Sequence, residues 1–230
     1  MGKVNWWTKL LSYIAEYPLE RVASEHNEEL LVLLRNGRHQ LCTPNAIYSY
    51  DDLYNNFSES LAKIHIKERP IEEVLVLGLG LGSIPLLLEK SFDLAPHITA
   101  VEIDEEVIYL ANKYVLQNLK SPIDCICTDA RVFLQLDPKL YDLICMDVFK
   151  DDIIPATFRG VDFLEDLQAH LKKEGILLFN HLALTSHDKK EAQAYFEEIF
   201  IKVFPNASII DTRSNYVLLN DSKFLVTDKE

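Results

Sequence analysis

The sequence predicts an α/β fold in which a mostly parallel sheet ends in an antiparallel hairpin, and three observations support this prediction. From about residue 71 onward, short apolar runs alternate with longer stretches of helical periodicity, as in parallel strands joined by crossover helices. Most of these runs are continuously apolar, which is typical of strands covered on both faces. Two final runs, 208–211 and 216–219, are joined by a short polar segment that fits a hairpin turn.

Five apolar runs are expected to form the parallel strands. They cover residues 73–77, 98–103, 123–128, 143–148 and 176–181. After the second run, Asp104 is placed to cap a helix, and Glu105 and Glu106 fall in its first turn, where negative charge suits the helix dipole. A further helix is expected over about 188–203, where apolar residues recur at helical spacing. In a chain of 230 residues, this succession predicts one main α/β core.

The N-terminal part of the chain has a different pattern. Residues 1–66 are expected to form a small lobe of a helix and a β-hairpin, and 67–230 the main domain. Two strand-like runs flank Asn36-Gly37, a strong hairpin signal. The helix is expected over about 6–15, and the hairpin strands over 30–34 and 40–42. Trp6 and Trp7 predict a hydrophobic helix face or a subunit contact, so a homodimer is one expected assembly; a cover over a substrate is the alternative.

Composition and charge narrow the class of partner. Lys and Arg total 23 against 36 Asp and Glu, and the formal net charge of −13 disfavours nucleic acid while it permits a cationic substrate such as a polyamine. The first residues lack the pattern of a signal peptide, and no apolar stretch reaches the ~20 residues of a bilayer span, so we expect a cytoplasmic protein with no membrane segment. The four cysteines lack metal-ligand spacing and are expected in the core, so neither a metal nor a disulfide is predicted.

A glycine-rich loop joins the first parallel strand to a helix. Gly78, Gly80 and Gly82 allow positive φ angles and a close approach of a ligand to the backbone, and Ser83 is expected to cap the helix. A dinucleotide-binding loop would place its third glycine at position 83, so the spacing favours a sulfonium nucleoside over a nicotinamide dinucleotide. Glu102 ends the second strand, where a carboxylate can accept two hydrogen bonds from a ribose diol.

Acidic residues also follow the third and fourth strands. Asp129, which precedes Ala130, can accept an adenine amino proton or cap the next helix, and the two interpretations carry equal weight. Asp147 ends the fourth strand, where open α/β sheets hold their reacting groups, and it ranks first for chemistry. Asp151 lies in the loop that follows. Together with the glycine loop, these residues predict a nucleoside ligand at the carboxyl edge of the sheet.

Several segments of the chain carry a resemblance to a known family. They are VLVLGLGLGS, AVEIDEEVI, TDARVFL, YDLICMDVF and LKKEGILLFN, preceded by Ser49-Tyr50-Asp51-Asp52-Leu53, which is similar to a Ser-Tyr-Gln-Glu-Met segment. Their order and spacing resemble those of the spermidine synthase family over about residues 28–180. The resemblance implies the Rossmann-like sheet of class I methyltransferases and a donor of the S-adenosylmethionine type, with no metal.

The resemblance also implies roles for individual residues. Carried over by position, the donor's tail is lined by Gly78, Gly80 and Gly82, its ribose is held by Glu102, and its adenine is held by Asp129 with Ala130. Asp147 matches the acid that gathers the donor amine, and Tyr50 matches a tyrosine near the acceptor amine. Gln40 matches a family glutamine only after a shift of one residue.

Two departures from the family pattern bear on the reaction. The loop aspartate that helps to bind the cationic tail of decarboxylated S-adenosylmethionine is Leu81 here. The position of the family's general base is Lys150, and Asp151 lies one residue later. Asp147, Asp151 and Tyr50 are therefore the expected catalytic residues, and His181 is a further candidate for proton transfer.

The departures rank three functions. Methyl transfer from S-adenosylmethionine to an unknown small acceptor, for which an amine is one candidate, comes first. The reason is that backbone N–H groups of the loop can hold the donor's carboxylate. Aminopropyl transfer from decarboxylated S-adenosylmethionine to a polyamine is the alternative within enzymes. A binding or assembly protein that keeps the fold without turnover is the third hypothesis.

Overall fold

The computed structural model describes residues 5–44 and 46–226, which contain two β-sheets. The N-terminal lobe holds α1 (Trp6–Leu11), the strands β1 (Tyr17–Val22), β2 (Leu30–Arg35), β3 (Arg38–Cys42) and β4 (Ile47–Ser49), and α2 (Asn55–Ala62). The four strands form an antiparallel sheet in the order β1-β2-β3-β4. The predicted hairpin around Asn36-Gly37 is the β2-β3 pair, and Asn36 and Gly37 both have positive φ.

The second sheet has seven strands, five of them parallel. They are β5 (Glu73–Leu77), β6 (His97–Glu102), β7 (Ile123–Cys127), β8 (Tyr141–Met146), β9 (Leu171–Leu182), β10 (Ser208–Asp211) and β11 (Asn215–Leu219). Their order is β10-β11-β9-β8-β5-β6-β7, and β11 runs antiparallel to both β9 and β10. The predicted fold class is therefore confirmed: a Rossmann-like class I methyltransferase sheet that ends in an antiparallel hairpin.

Helices cover both faces of this sheet. They are α3 (Ser83–Lys90), α4 (Glu105–Tyr114), α5 (Ala130–Leu136), α6 (Val161–Ala169) and α7 (Ser186–Tyr195). Beyond Tyr195 the chain continues through one π-helical turn, Phe196–Phe200, into Ile201–Val203, so the helix expected over 188–203 is present with a widened turn. Asp104 caps α4 by accepting a hydrogen bond from the Glu106 amide, as predicted.

The core lies on both faces of the central strand β5. Val74 and Val76 face one buried cluster, while Leu75 and Leu77 face the other, because side chains alternate along a strand. The first cluster also contains fully buried residues of β2 and β3, among them Leu30 and Val32. The N-terminal sheet therefore shares its hydrophobic core with the larger sheet. The division at residue 66 into two domains stays a prediction.

Two local expectations differ from the structure, and two strands were not predicted. β7 is an edge strand, so Cys125 is only half-buried and Cys127 is exposed, and Cys42 in β3 is also only half-buried, although all were expected in the core. Ser83 does not cap α3; Gly82 occupies the cap position in the left-handed region, and the Ser83 hydroxyl lies 2.7 Å from that of Ser49. The strands β1 and β4 were not predicted, since one carries Pro18 and charged residues and the other is three residues long.

None of the helices in the part of the chain that the structure describes is both long enough and apolar enough to span a membrane. Within residues 5–44 and 46–226, no three His, Cys, Asp or Glu side chains meet in an arrangement that could hold a metal ion. α1 buries none of its residues, and Trp6 and Trp7 stack on each other with ring centroids 3.7 Å apart. The subunit contact expected there stays a prediction.

Candidate active site

A cavity of about 1040 Å³ opens at the carboxyl edge of the parallel strands. Its walls come from the ends of β5, β6, β7 and β8, from the end of β9, and from the N-terminal lobe around β4 and the start of α2. This is the position at which open α/β sheets bind ligands, because the strand order reverses there and leaves a crevice. The lobe also lines the crevice, as the role implied for Tyr50 requires.

The glycine loop lines one wall. Gly78, Gly80 and Gly82 have φ angles of 87°, 53° and 90°, a region that other residues avoid. A Cβ atom on Gly78 would lie 2.3 Å from the carbonyl oxygen of Asp147, and one on Gly80 would lie 2.9 Å from that of Tyr48. Gly78 and Gly80 border the cavity, whereas Gly82 packs against Leu116. Close packing therefore leaves no room for a Cβ atom at any of the three glycines, and Gly78 and Gly80 also bring the backbone to the cavity.

Glu102 lies at the cavity wall at the end of β6. Its carboxylate accepts hydrogen bonds from the backbone amides of Leu79, Ile103 and Asp104, at 3.1, 2.9 and 3.2 Å. Burial raises the pKa of Glu102, although these three amides favour its charged form. Because Leu79 belongs to the glycine loop, Glu102 also fixes the loop to the neighbouring strand.

Asp129 and Ala130 border the cavity at the end of β7. Asp129 caps α5, since its Oδ1 atom accepts hydrogen bonds from the amides of Arg131 and Val132 at 2.8 and 3.2 Å. The capping interpretation is therefore confirmed. The adenine contact stays a prediction, and it is compatible with the cap because the capping bonds use a single carboxylate oxygen.

Asp147 is the centre of a polar cluster at the end of β8. The Tyr54 hydroxyl donates to Oδ2 at 2.8 Å, and the Asn180 amide nitrogen donates to Oδ1 at 2.8 Å. Burial raises the pKa of Asp147 to about 7, against the opposing effect of these two hydrogen bonds and with a contribution from the negative charge of Glu102. Burial likewise raises the pKa of Tyr54 well above its usual value, so its hydroxyl keeps its proton.

Asn180 completes this cluster with an unused acceptor. The residue is only 2% exposed, borders the cavity, and its Oδ1 atom has no hydrogen-bond partner within the protein. A buried amide oxygen without a partner costs roughly 1–3 kcal/mol, which a donor group on a ligand can recover. Asp147 and Asn180 therefore place a carboxylate and an unused amide acceptor side by side at the cavity.

The remaining predicted catalytic residues, Tyr50 and Asp151, border the cavity from different sides. The Tyr50 hydroxyl accepts a hydrogen bond from the Asn36 side chain at 3.2 Å. Asp151 lies at the tip of a tight turn closed by two backbone hydrogen bonds between Lys150 and Ile153. Lys150 borders the cavity too, so the departure from the family's base position lies within the site.

Three other residues from the sequence interpretation lie away from the cavity. Leu81 is fully buried in the hydrophobic core, so the loop presents no polar side chain at that position. Gln40 is buried within the N-terminal sheet. His181 lines a separate cavity of about 100 Å³, and burial lowers its pKa, so the imidazole is neutral at neutral pH.

Charge in the cavity is predominantly negative. Its described lining residues include six carboxylates but one Lys or Arg side chain, that of Lys150. The carboxylates are those of Glu25, Glu102, Asp129, Asp147, Asp151 and Asp152. Low-dielectric walls lined by one sign of charge concentrate ligands of the opposite sign. The site therefore favours cations.

The sheet topology and the cavity at its carboxyl edge define a protein of the class I methyltransferase fold with a candidate ligand site. A family model, the Spermine/spermidine synthase domain, matches residues 55–221, and the chain belongs to that family. It is 28% identical over 155 residues to a polyamine aminopropyltransferase from Vibrio vulnificus, covering 65% of this chain and 51% of the relative. It is 36% identical over 115 residues to an N-terminal histidine N-methyltransferase from Emericella nidulans, covering 46% of this chain and 19% of the relative.

A solved structure shares the fold. Spermidine synthase from Thermotoga maritima aligns with a TM-score of 0.66 and 15% identity, over 88% of this chain and 72% of the other. The chain spans about half of the Vibrio relative and less of the Emericella relative. The family match and the shared fold agree with the resemblance to the spermidine synthase family.

Proposed function

We propose that the protein transfers a methyl group from S-adenosylmethionine to the amino group of a small cationic acceptor. One observation carries this proposal: neighbouring strand ends supply groups that suit each part of such a donor. The glycine loop after β5 suits the tail, Glu102 the ribose and Asp129 with Ala130 the adenine. Asp147 and Asn180 suit the amine, and the unused Oδ1 atom of Asn180 is the buried acceptor that this ammonium would satisfy.

The choice of methyl over aminopropyl rests on position 81. Decarboxylated S-adenosylmethionine has a tail with no anionic group, and the buried Leu81 offers it no carboxylate. S-adenosylmethionine retains a carboxylate, which suits the backbone amides of the loop and the cationic side chain of Lys150 at the cavity. The loss of one charge-assisted hydrogen bond weakens binding by about tenfold or more.

Few catalytic groups are required. When bound, the donor supplies a carbon activated by its sulfonium, whose C–S bond breaks as the acceptor nitrogen forms the new C–N bond. The protein's part is to align the two molecules, exclude water and accept the proton that the acceptor amine releases. Asp151 and Tyr50 suit the proton transfer. Asp147 suits binding instead, because its buried carboxylate is held in place by Tyr54 and Asn180.

Aminopropyl transfer is the second candidate, favoured by the acid-rich cavity and by the name of the Vibrio relative. A calorimetric comparison of S-adenosylmethionine, decarboxylated S-adenosylmethionine and methylthioadenosine separates the two enzymes. We expect S-adenosylmethionine to bind more tightly than its decarboxylated form and to raise the melting temperature, since ligand at 100 times its Kd adds about 2.7 kcal/mol. The reverse order would favour aminopropyl transfer.

Turnover is tested with a panel of diamines and polyamines. Mass spectrometry of the mixtures distinguishes S-adenosylhomocysteine, the product of methyl transfer, from methylthioadenosine, the product of aminopropyl transfer. A donor that binds while no amine yields either product would support the binding-protein hypothesis. No thermal shift with any adenosyl-sulfur compound at millimolar concentration would remove the proposal altogether.

A further inference from the structure

Tyr48, in β4 of the N-terminal lobe, contacts two walls of the cavity, which follow the neighbouring strands β5 and β8. Its backbone carbonyl packs against the glycine loop, so closely that a Cβ atom on Gly80 would lie 2.9 Å from it. Its side chain is half-buried at the cavity and reaches the turn after β8, where the hydroxyl lies 3.2 Å from the amide nitrogen of Asp151. One residue of the lobe thus touches both loops that enclose the proposed donor.

The hydroxyl of Tyr48 belongs to a chain of hydrogen bonds that all run in one direction. The Asp151 amide donates to the Tyr48 hydroxyl, which donates to Oδ1 of Asn27 at 3.2 Å. The Asn27 amide nitrogen donates to Oδ2 of Asp104 at 2.7 Å. Each group has the donor or acceptor that its neighbour requires, so every link is satisfied at once.

The chain of hydrogen bonds ends at the first turn of helix α4. Asp104 is buried, and its Oδ1 atom accepts the Glu106 amide at the first turn of α4, 3.0 Å away. Asp104 also follows Glu102, the proposed ribose ligand, by two residues. The hydrogen bonds therefore connect the ribose end of the site to the turn at Asp151 through the N-terminal lobe.

The turn at Asp151 requires such support. Asp151 has φ of 56°, in the left-handed region, where a residue with a Cβ atom is strained. Strained backbone persists only where neighbouring groups hold it, and the bond to Tyr48 fixes the amide of the strained residue itself. Burial raises the pKa of Tyr48, so the hydroxyl keeps its proton through neutral pH and continues to donate to Asn27.

We propose that Tyr48 is a positioning residue, which holds the turn at Asp151 through Asn27 and Asp104 so that the Asp151 carboxylate faces the acceptor amine. The role of the carboxylate rests on the proposed function. The mechanical link between Tyr48 and the turn does not, because all its bonds lie within the protein.

The link is tested by Tyr48→Phe, which removes the hydroxyl and keeps the ring. Hydrogen exchange of the Asp151 amide, measured on the protein without ligand, should accelerate about three- to tenfold, as the loss of one neutral hydrogen bond predicts. The matched control is Tyr114→Phe, because the Tyr114 hydroxyl also joins the lobe to α4, by a bond to Glu20 at 2.6 Å, but does not reach the turn. It should leave exchange at Asp151 unchanged.

A second variant, Asn27→Ala, breaks the same chain one bond further away. It should accelerate exchange at Asp151 less than Tyr48→Phe does, and the double variant should resemble Tyr48→Phe, because both changes act through one path. Unchanged exchange in Tyr48→Phe, equal acceleration in Tyr114→Phe, or simple additivity in the double variant would overturn the proposal.

Kinetics extend the test to the reaction. With an amine that is turned over, Tyr48→Phe should lower kcat about three- to tenfold while the Kd for methylthioadenosine stays within twofold, because the adenosyl contacts are intact. A fall in methylthioadenosine affinity with kcat unchanged would contradict a role for Tyr48 in positioning Asp151. The exchange result stands independently, so failure of the proposed function and failure of the link are distinguishable.

Discussion

At the scale of single residues, the role that we propose for Asp147 is to distinguish ligands with an amine from those without one. Its carboxylate is fixed by Tyr54 and Asn180, and burial raises its pKa to about 7. Below that pH the carboxyl is protonated and neutral, and above it the carboxylate is charged. Only the charged form gains the full attraction of a ligand ammonium.

The first prediction follows from this titration. Affinity for S-adenosylmethionine should rise as pH increases from about 6 to 8, by up to about tenfold, whereas methylthioadenosine, which has no amine, should bind equally across the range. Asp147→Asn should weaken S-adenosylmethionine about tenfold at pH ~8 and abolish its pH dependence. Calorimetry on both ligands measures this. A pH dependence shared by methylthioadenosine would contradict the assignment of Asp147 to the amine.

Glu102 holds three backbone amides and is proposed to bind the ribose, and the second prediction separates these two roles. Glu102→Gln should weaken S-adenosylmethionine and methylthioadenosine alike, by ~2–3 kcal/mol, because both contain the ribose. It should also lower the free energy of unfolding by ~1–2 kcal/mol, since the amides of Leu79, Ile103 and Asp104 lose a charged acceptor. Denaturant unfolding and calorimetry measure the two effects. Glu105→Gln, an exposed change three residues away, is the control.

A change in ligand affinity with no change in unfolding would show that the backbone bonds of Glu102 contribute little. Unchanged affinity would break the ribose assignment. The sequence indicated only the ribose role for Glu102, because the link to Leu79 joins residues 23 apart in the chain.

At the scale of elements, the strands of the main sheet were predictable because their apolar runs report burial directly. The run at 123–128 also forms a strand, but the burial of its side chains was not predicted correctly. Its strand β7 lies at the sheet edge, and edge position depends on topology. The site residues predicted at the strand ends border the cavity, because the carboxyl ends of parallel strands converge at one edge of the sheet. Tyr48, Tyr54 and Asn180 were missed, because their bonds join residues 33 to 103 apart in the chain and have no local pattern.

The third prediction concerns the glycine loop. Leu81→Asp restores the acid typical of the family, but it places a carboxylate in the hydrophobic core, where Leu81 is fully buried. We expect a loss of ~3–5 kcal/mol in the free energy of unfolding and no gain in affinity for decarboxylated S-adenosylmethionine. Leu136→Asp is the control, because Leu136 is 78% exposed and the change should cost less than ~0.5 kcal/mol. A stable Leu81→Asp variant that binds the decarboxylated donor tightly would contradict this account.

At the scale of the whole molecule, the two sheets behave as one support for the site. The N-terminal lobe contributes Leu30 and Val32 to the core cluster of the main sheet and closes the cavity with β4 and α2. On the outer side, Glu20 of β1 accepts hydrogen bonds from Lys113 and Tyr114 of α4. The lobe is therefore joined to the main sheet both through the shared core and through these hydrogen bonds to α4. A ligand in the cavity contacts two walls that are firmly joined.

The last prediction uses the charge of the whole chain. A formal net charge of −13 and an acid-rich cavity should attract ligands in proportion to their positive charge, and salt should screen that attraction. Decarboxylated S-adenosylmethionine carries two positive charges, S-adenosylmethionine a net single one, and methylthioadenosine none. Raising the ionic strength from about 0.02 to 0.5 M should therefore weaken the three ligands to decreasing extents, with methylthioadenosine nearly unaffected. Calorimetry at constant pH ~8 keeps Asp147 ionised throughout. Equal salt dependence for all three ligands would mean that salt acts on the protein's conformation, and the cavity's charge would then play no part in selecting the ligand.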